Sequence, residues 1–280
     1  MALAPGAPER LQLLNWRILG AGTALPRRGL SGELYGPCSI ALSSTSSAKV
    51  LLLDCGPGTI RSLSAYGIQL EQIRRVLITH EHADHVLDVL ALLFARRNPR
   101  LAGCEELELH GPAGVFGPLL EAGQILGALG RDGFAGAGAR LYEWSAPELE
   151  RGVRIGDLLV RGLDTGHTTL AKAYRIEAAG GQVFAFSGDA EENDAVVEIA
   201  RAADLFVCEC ATADNDPLRG HLQPSGVIRI VQAAEPRRVL LTHVYPGLDP
   251  AEAARQVEAA TRIPTRAAQD GLAGQLGERA

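Results

Sequence analysis

The chain has 280 residues, of which 46% are hydrophobic and 21% charged, with a formal net charge of −6. That composition is ordinary for a globular protein, and the length suffices for one large α/β domain or two small ones. The acidic balance argues against a surface built for non-specific nucleic-acid binding, and no stretch reaches the roughly 18 uncharged apolar residues of a membrane helix.

In chain order, residues 16–19 predict a short strand entering the turn-rich run Gly20-Ala21-Gly22-Thr23, which continues to about Gly36. That loop either brings backbone N–H groups near a phosphate or is a tight turn, since a lone Gly-x-Gly is a weak signal. Strands follow at 39–42 and 49–53, the second ending at Asp54, and Asp54-Cys55-Gly56-Pro57-Gly58-Thr59 turns into a helix over 60–66. The apolar strand 75–78 delivers His80-Glu81-His82-Ala83-Asp84-His85, and 86–97 has helical periodicity. A strand at 107–110 precedes a helix over 115–129, and the glycine-rich stretch 130–138 reads as a flexible loop.

Two or three strands are expected between 140 and 164, then a hairpin of 172–178 and 182–186 across Ala179-Gly180-Gly181. Helices at 193–203, 225–234 and 250–261 alternate with strands at 205–210 and 238–241, and the tail after Ile263 reads as loosely held. The halves share an order, strands first and then strand–helix alternation. This predicts an α/β four-layer sandwich, two sheets inside and helices outside. A single domain over 1–280 is expected, with its core at about 16–262 and flexible ends.

The first twenty residues lack a basic start followed by an apolar run, so a cytoplasmic location is expected. The five cysteines have no framework spacing and read as free thiols. Strand alternation puts Cys208 and Cys210 on one face and Glu209 on the other, a buried pair rather than a zinc site. Arg96, Arg97 and Arg100, like Arg237 and Arg238, read as solvated ends rather than binding patches.

Chemistry concentrates in the histidines. His80, His82, Asp84 and His85 place four potential ligands within six residues, and imidazole with carboxylate suits zinc, iron or manganese. A bend would let His80 and His82 reach one ion, while Asp84 and His85 face a neighbouring position. His167 and His243, each at an apparent strand end, could complete one ion apiece, and Asp189 could bridge. Taken alone, His243 or Asp189 would read as an ordinary polar residue; the set of seven does not.

With these residues in order, the chain resembles the metallo-β-lactamase-fold hydrolases over about 16–245. The resemblance implies a sandwich of that type with a dinuclear, usually zinc, site. One ion would be held by His80, His82 and His167, the other by Asp84, His85 and His243, with Asp189 between them. Asp54 matches an aspartate that orients the ligand loop. Within the superfamily the chain is most similar to the ribonuclease Z and phosphodiesterase branch. Leu19-Gly20-Ala21-Gly22-Thr23-Ala24-Leu25-Pro26 resembles its opening loop, Cys208-Glu209-Cys210-Ala211-Thr212 its His-Glu-Ala-Thr segment, and His221-Leu222-Gln223-Pro224 a later histidine segment. By carry-over Glu209 and His221 supply a proton to the leaving group, and Asp84 joins them as a catalytic candidate. A homodimer is inherited in the same way.

Three departures bear on the substrate. His167 and Asp189 lie 22 positions apart, too close for a tRNA-clamping arm between them. Cys208 replaces the first histidine of the His-Glu-Ala-Thr segment. Val244-Tyr245-Pro246 follows His243 in place of Ser-x-Arg-Tyr. Together they argue against tRNA and for a small or cyclic-nucleotide-type phosphodiester, cleaved by hydroxide held between two divalent ions, Zn2+ foremost, with Mn2+ or Fe2+ as substitutes. The rival readings are a thioester, lactone or sulfate-ester hydrolase on the same site, a ribonuclease Z-like nuclease, and a metal-free binding or scaffold protein.

Overall fold

The computed structural model describes residues 13–28, 34–45, 47–130 and 132–277. The chain begins with β1 (Leu14–Gly20), a two-residue ribbon β2 (Arg27–Arg28) and β3 (Leu34–Tyr35), then β4 (Ser39–Ser44) and β5 (Val50–Leu53). Next come α1 (Thr59–Ala65), β6 (Ile73–Leu77), α2 (Ala83–Arg96), β7 (Leu107–Pro112), α3 (Gly117–Ile125), α4 (Gly133–Gly136), β8 (Ala139–Trp144) and α5 (Ala146–Arg151). The second half runs β9 (Val153–Ile155), β10 (Leu158–Asp164), β11 (Lys172–Glu177), β12 (Val183–Phe186), α6 (Asp194–Ala200), β13 (Leu205–Glu209), α7 (Pro224–Ala234), β14 (Val239–Thr242), α8 (Pro250–Thr261), β15 (Thr265–Ala267) and β16 (Ala273–Leu276).

Two seven-stranded sheets result, in the orders β16-β1-β4-β5-β6-β7-β8 and β15-β14-β13-β12-β11-β10-β9. In each, antiparallel strands lead into parallel ones: β5 to β8 in the first sheet and β12 to β15 in the second. Parallel neighbours need crossovers, and the helices supply them. One apolar cluster, including Ile18, Leu53, Phe184 and Phe186, lies between the sheets. A second packs the first sheet against α1 to α4, and a third packs the other sheet against α6 to α8. This is the four-layer α/β sandwich that the strand–helix alternation predicts. All five residues of β13 are buried, four of them apolar and the last, Glu209, at its carboxyl end. On α7 the buried Val227, Ile230, Val231 and Ala234 follow the helical repeat.

Four local expectations are corrected. The segment after Ile263 is not loose: β15 pairs with β14 and β16 with β1, and Leu276 is fully buried. Residues 133–136 of the glycine-rich stretch form a helical turn, with Phe134 buried under it. Ser145 and Glu148 close a capping box that starts α5, which period-two reading of 140–164 overlooked. The opening loop contains the β2–β3 ribbon. The expected flexible N-terminal end falls on residues 1–12, outside the described residues.

Among the described residues, no helix is long and apolar enough to cross a membrane. All five cysteines are free. Arg96, expected to be solvated, is instead buried and donates to the carbonyl of Glu105, while Arg97 donates to that of Gly127 at 2.8 Å and Arg237 and Arg238 pair with Asp204.

Candidate metal centre

Parallel sheets gather ligands at the carboxyl ends of their strands, where chains turn and backbone polarity is exposed. Here Asp54 follows β5, β6 feeds 79–82, β12 feeds 187–190 and β14 feeds His243, while the antiparallel β10 feeds 165–167 at the same edge. His82 is the residue before α2, so Asp84 and His85 occupy the first helical turn rather than a continuing loop. That places the two pairs on either side of one bend. The turn is tight: a Cβ on Gly56 would collide with the carbonyl oxygen of Asp84.

The Asp189 carboxylate divides the expected ligands. Its Oδ2 faces His80 Nε2 at 3.7 Å and His167 Nε2 at 3.6 Å. His82 Nδ1 lies 3.0 Å from both of those nitrogens. Its Oδ1 faces His85 Nε2 at 3.3 Å and His243 Nε2 at 3.4 Å. Asp84 Oδ2 stands 3.4 Å from His243 Nε2 and 3.9 Å from His85 Nε2. All seven expected ligands therefore converge, in two groups that share Asp189.

Hydrogen bonds behind the cluster fix which nitrogen of each ring faces inward. His167 Nδ1 lies 2.7 Å from the carbonyl of Gly220, an oxygen that only accepts, so the proton sits on Nδ1 and the Nε2 lone pair points to the cluster. Gly220 has φ +85°, and a Cβ there would press on the His167 ring, so glycine alone fits. His85 Nδ1 donates to Asp54 Oδ2 at 2.7 Å, again leaving Nε2 inward. Thr79 Oγ1 donates to Asp54 at 2.9 Å and sits 3.0 Å from His80 Nδ1, whose proton it accepts. Asp54 thus sets two imidazoles, one directly and one through Thr79.

The donors fit a divalent cation. Atoms about 2.0–2.1 Å from a shared tetrahedral ion sit roughly 3.3 Å apart, and the spacings above bracket that value. Buried His85 Nε2 and Asp189 Oδ1 have no hydrogen-bond partner among the described residues, although they lie 3.3 Å apart. Two buried polar atoms lacking partners are costly unless a third species satisfies both. Electrostatics agrees. Burial alone would raise the Asp189 carboxyl, but His243, His85 and His80 more than offset it and hold it well below the usual range. Burial would lower His85, yet Asp189 and Asp54 on either side raise its proton affinity well above normal. The Asp189 carboxylate therefore stays charged, and burial lowers His80 and His167, which keeps those rings neutral and able to bind a cation.

Glu209 and His221 also meet, with His221 Nδ1 3.2 Å from Glu209 Oε2 and 4.0 Å from Asp189 Oδ2. Burial, with Asp189 nearby, pushes the Glu209 carboxyl well above its ordinary range, against the N–H donors of Ala190 and Leu222. Asp84 is held low: burial opposes this, but its contacts with His243 and His85 prevail.

Sequence reasoning passed over Thr79, the Gly220 carbonyl and Asp270. Asp270 accepts from Ala21 N and Gly36 N at 2.8 Å each, while Ala21 O accepts from His243 N at 3.0 Å. It therefore fixes the opening loop beneath His243. No motif marks a carboxylate that acts on backbone 249 positions away.

A model of the beta-lactamase superfamily domain matches residues 49–244. The chain is 30% identical over 276 residues to a ribonuclease Z of Brevibacillus brevis, covering 82% of this chain and 84% of that protein. Among solved structures, the metallo-beta-lactamase fold protein YhfI from Bacillus subtilis superposes with a TM-score of 0.79 at 19% identity, covering 94% of this chain and 100% of that one. A diphosphatase from the PhnP family gives 0.71 at 18%, covering 95% and 98%. At those identities the structures speak to fold alone. A relative called ribonuclease Z lends no support to the expectation that tRNA is excluded.

Proposed function

The chain belongs to the beta-lactamase superfamily, in its ribonuclease Z-like branch of metal-binding hydrolases, and from that premise we propose that it hydrolyses a phosphodiester at a centre for two divalent metal ions. His80, His82 and His167 would hold one ion, Asp84, His85 and His243 the other, with Asp189 shared. The observation that carries this reading is the division of the Asp189 carboxylate, one oxygen toward each histidine set. An imidazole-rich set with two carboxylates favours Zn2+, with Mn2+ or Fe2+ as substitutes. Bound there, such ions would supply Lewis acidity and bring the pKa of a water toward neutrality.

The chain's own residues do the rest. Asp54 and Thr79 hold the Nδ1 protons of His85 and His80, so that each ring presents its Nε2 to the centre. Asp84, fixed by the N–H of Ala24 at 3.1 Å, keeps the opening loop against the centre. An alkoxide leaving group needs a proton, and His221, backed by Glu209 at 3.2 Å and open to the site, is placed to deliver it. Buried Glu209 favours proton sharing, so after the transfer the pair can be reloaded from solvent through His221.

The test compares a bis-aryl phosphodiester, a nucleoside 2′,3′-cyclic phosphate, a thioester and a 3′-extended tRNA with metal-loaded protein. Cleavage of either small diester supports the reading. Cleavage of the thioester alone moves the chain to another ester class. Preference for the tRNA makes it a nuclease, the reading favoured by the Brevibacillus relative. Loss of all activity together with absence of bound metal would leave a binding protein.

A further inference from the structure

Tyr245 stands at the mouth of the centre in a position no step above uses. Its ring lies 5.7 Å from that of His221 and 5.6 Å from that of His243, at 68° and 76° to them. Those two imidazoles are stacked 5.5 Å apart at 16°. The backbone is fixed, since Tyr245 N–H donates to the carbonyl of Ala211 at 2.9 Å. The ring is nevertheless only half-buried. It is a rigid aromatic surface beside the reacting groups, partly open to solvent.

Two exposed leucines sit on loops whose backbone is bonded to the centre. Leu25, 52% exposed, follows the residue whose N–H binds Asp84. Leu218, 40% exposed, has its carbonyl on His221 N at 3.2 Å. Aromatic side chains stack bases with little dependence on sequence, because every base offers a π-face.

We infer that Tyr245 is a specificity-determining platform that stacks the planar ring of the substrate, a nucleobase above all, beside the scissile phosphodiester. The inference rests on the phosphodiester reading and narrows it to esters of nucleosides.

The test uses two diesters with one leaving group, thymidine 5′-(4-nitrophenyl phosphate) and methyl 4-nitrophenyl phosphate. Their ratio of kcat/KM isolates the base. Wild type should favour the nucleoside ester, Tyr245→Phe should keep that ratio, and Tyr245→Ala should lower it about tenfold, chiefly through KM. Calorimetry gives a readout independent of turnover: the affinity gap between thymidine 5′-monophosphate and inorganic phosphate should narrow by a similar factor in Tyr245→Ala. An unchanged ratio in Tyr245→Ala, or equal handling of both esters by wild type, overturns the inference and leaves the phosphodiester reading intact. If neither ester is cleaved while metal is bound, both fall together.

Discussion

The Nδ1–H of His85 is held 2.7 Å from Asp54 Oδ2, in a pair with no solvent exposure on either side. The same carboxylate accepts from the Thr79 hydroxyl and the Thr79 N–H, the latter at 2.7 Å. One aspartate therefore decides the protonation pattern of two rings it does not share with any cation. Asp54 also adopts φ 55°, a left-handed conformation uncommon outside glycine and the short polar residues. The surrounding bonds hold it there.

Asp54→Asn tests that control. An amide offers a single acceptor oxygen and can turn an N–H toward His85, which favours the wrong tautomer. Metal affinity should fall by roughly 10- to 100-fold, as for other outer partners of ligands, with the fold retained. Competition against a chromophoric chelator measures it. Wild-type affinity in a folded variant would show that Asp54 has no such role.

His82→Ala should release one ion and abolish turnover. His82 supplies the Nδ1 donor that lies 3.0 Å from both His80 Nε2 and His167 Nε2, and nothing else fills that corner. Metal analysis of the purified variant should give about half the wild-type content. Full content would mean that His82 is not a ligand.

His221→Ala should keep both ions and slow turnover by about 10²–10⁴-fold, the usual contribution of a positioned proton donor. The loss should shrink for esters with good leaving groups such as 4-nitrophenol, which need no proton. Equal losses for good and poor leaving groups would assign His221 a different task.

His110 predicts a stability change with pH. Burial is the main cause that lowers its pKa from 6.5 to about 4, against the support of Glu108 3.3 Å away. Below pH 6.5 the unfolded chain takes up this proton before the folded one, so stability is lost as pH falls toward 4. The shift corresponds to roughly 3 kcal/mol at 1.36 kcal/mol per pKa unit. Replacing His110 by Phe preserves stacking on Tyr142, now 4.7 Å away, and should remove most of that decline. Urea unfolding at pH 7 and 4.5, with chelator present for both proteins, compares the slopes; parallel slopes would clear His110.

Much of this was open to inspection in the linear chain. Histidine and aspartate at 80, 82, 84 and 85 advertise metal chemistry because so many donors in six residues serve no packing purpose. Strand–helix alternation in two similar halves required parallel sheets covered on both faces, and so the layered fold. Short elements were less legible. Thr265–Ala267 and Ala273–Leu276 carry little pattern of their own and become strands only because β14 and β1 offer them open edges.

The residue types and their order thus determined the kind of chemistry and the arrangement of layers, since both follow from donor identity and hydrophobic period. Only the folded chain decided that each oxygen of Asp189 addresses a different pair of histidines, that Asp54 governs two tautomers, and that Asp270 ties residues 21 and 36 beneath His243. Such relations depend on distances of a few ångströms between segments up to 249 positions apart. Local propensity does not encode them; packing of the two sheets does.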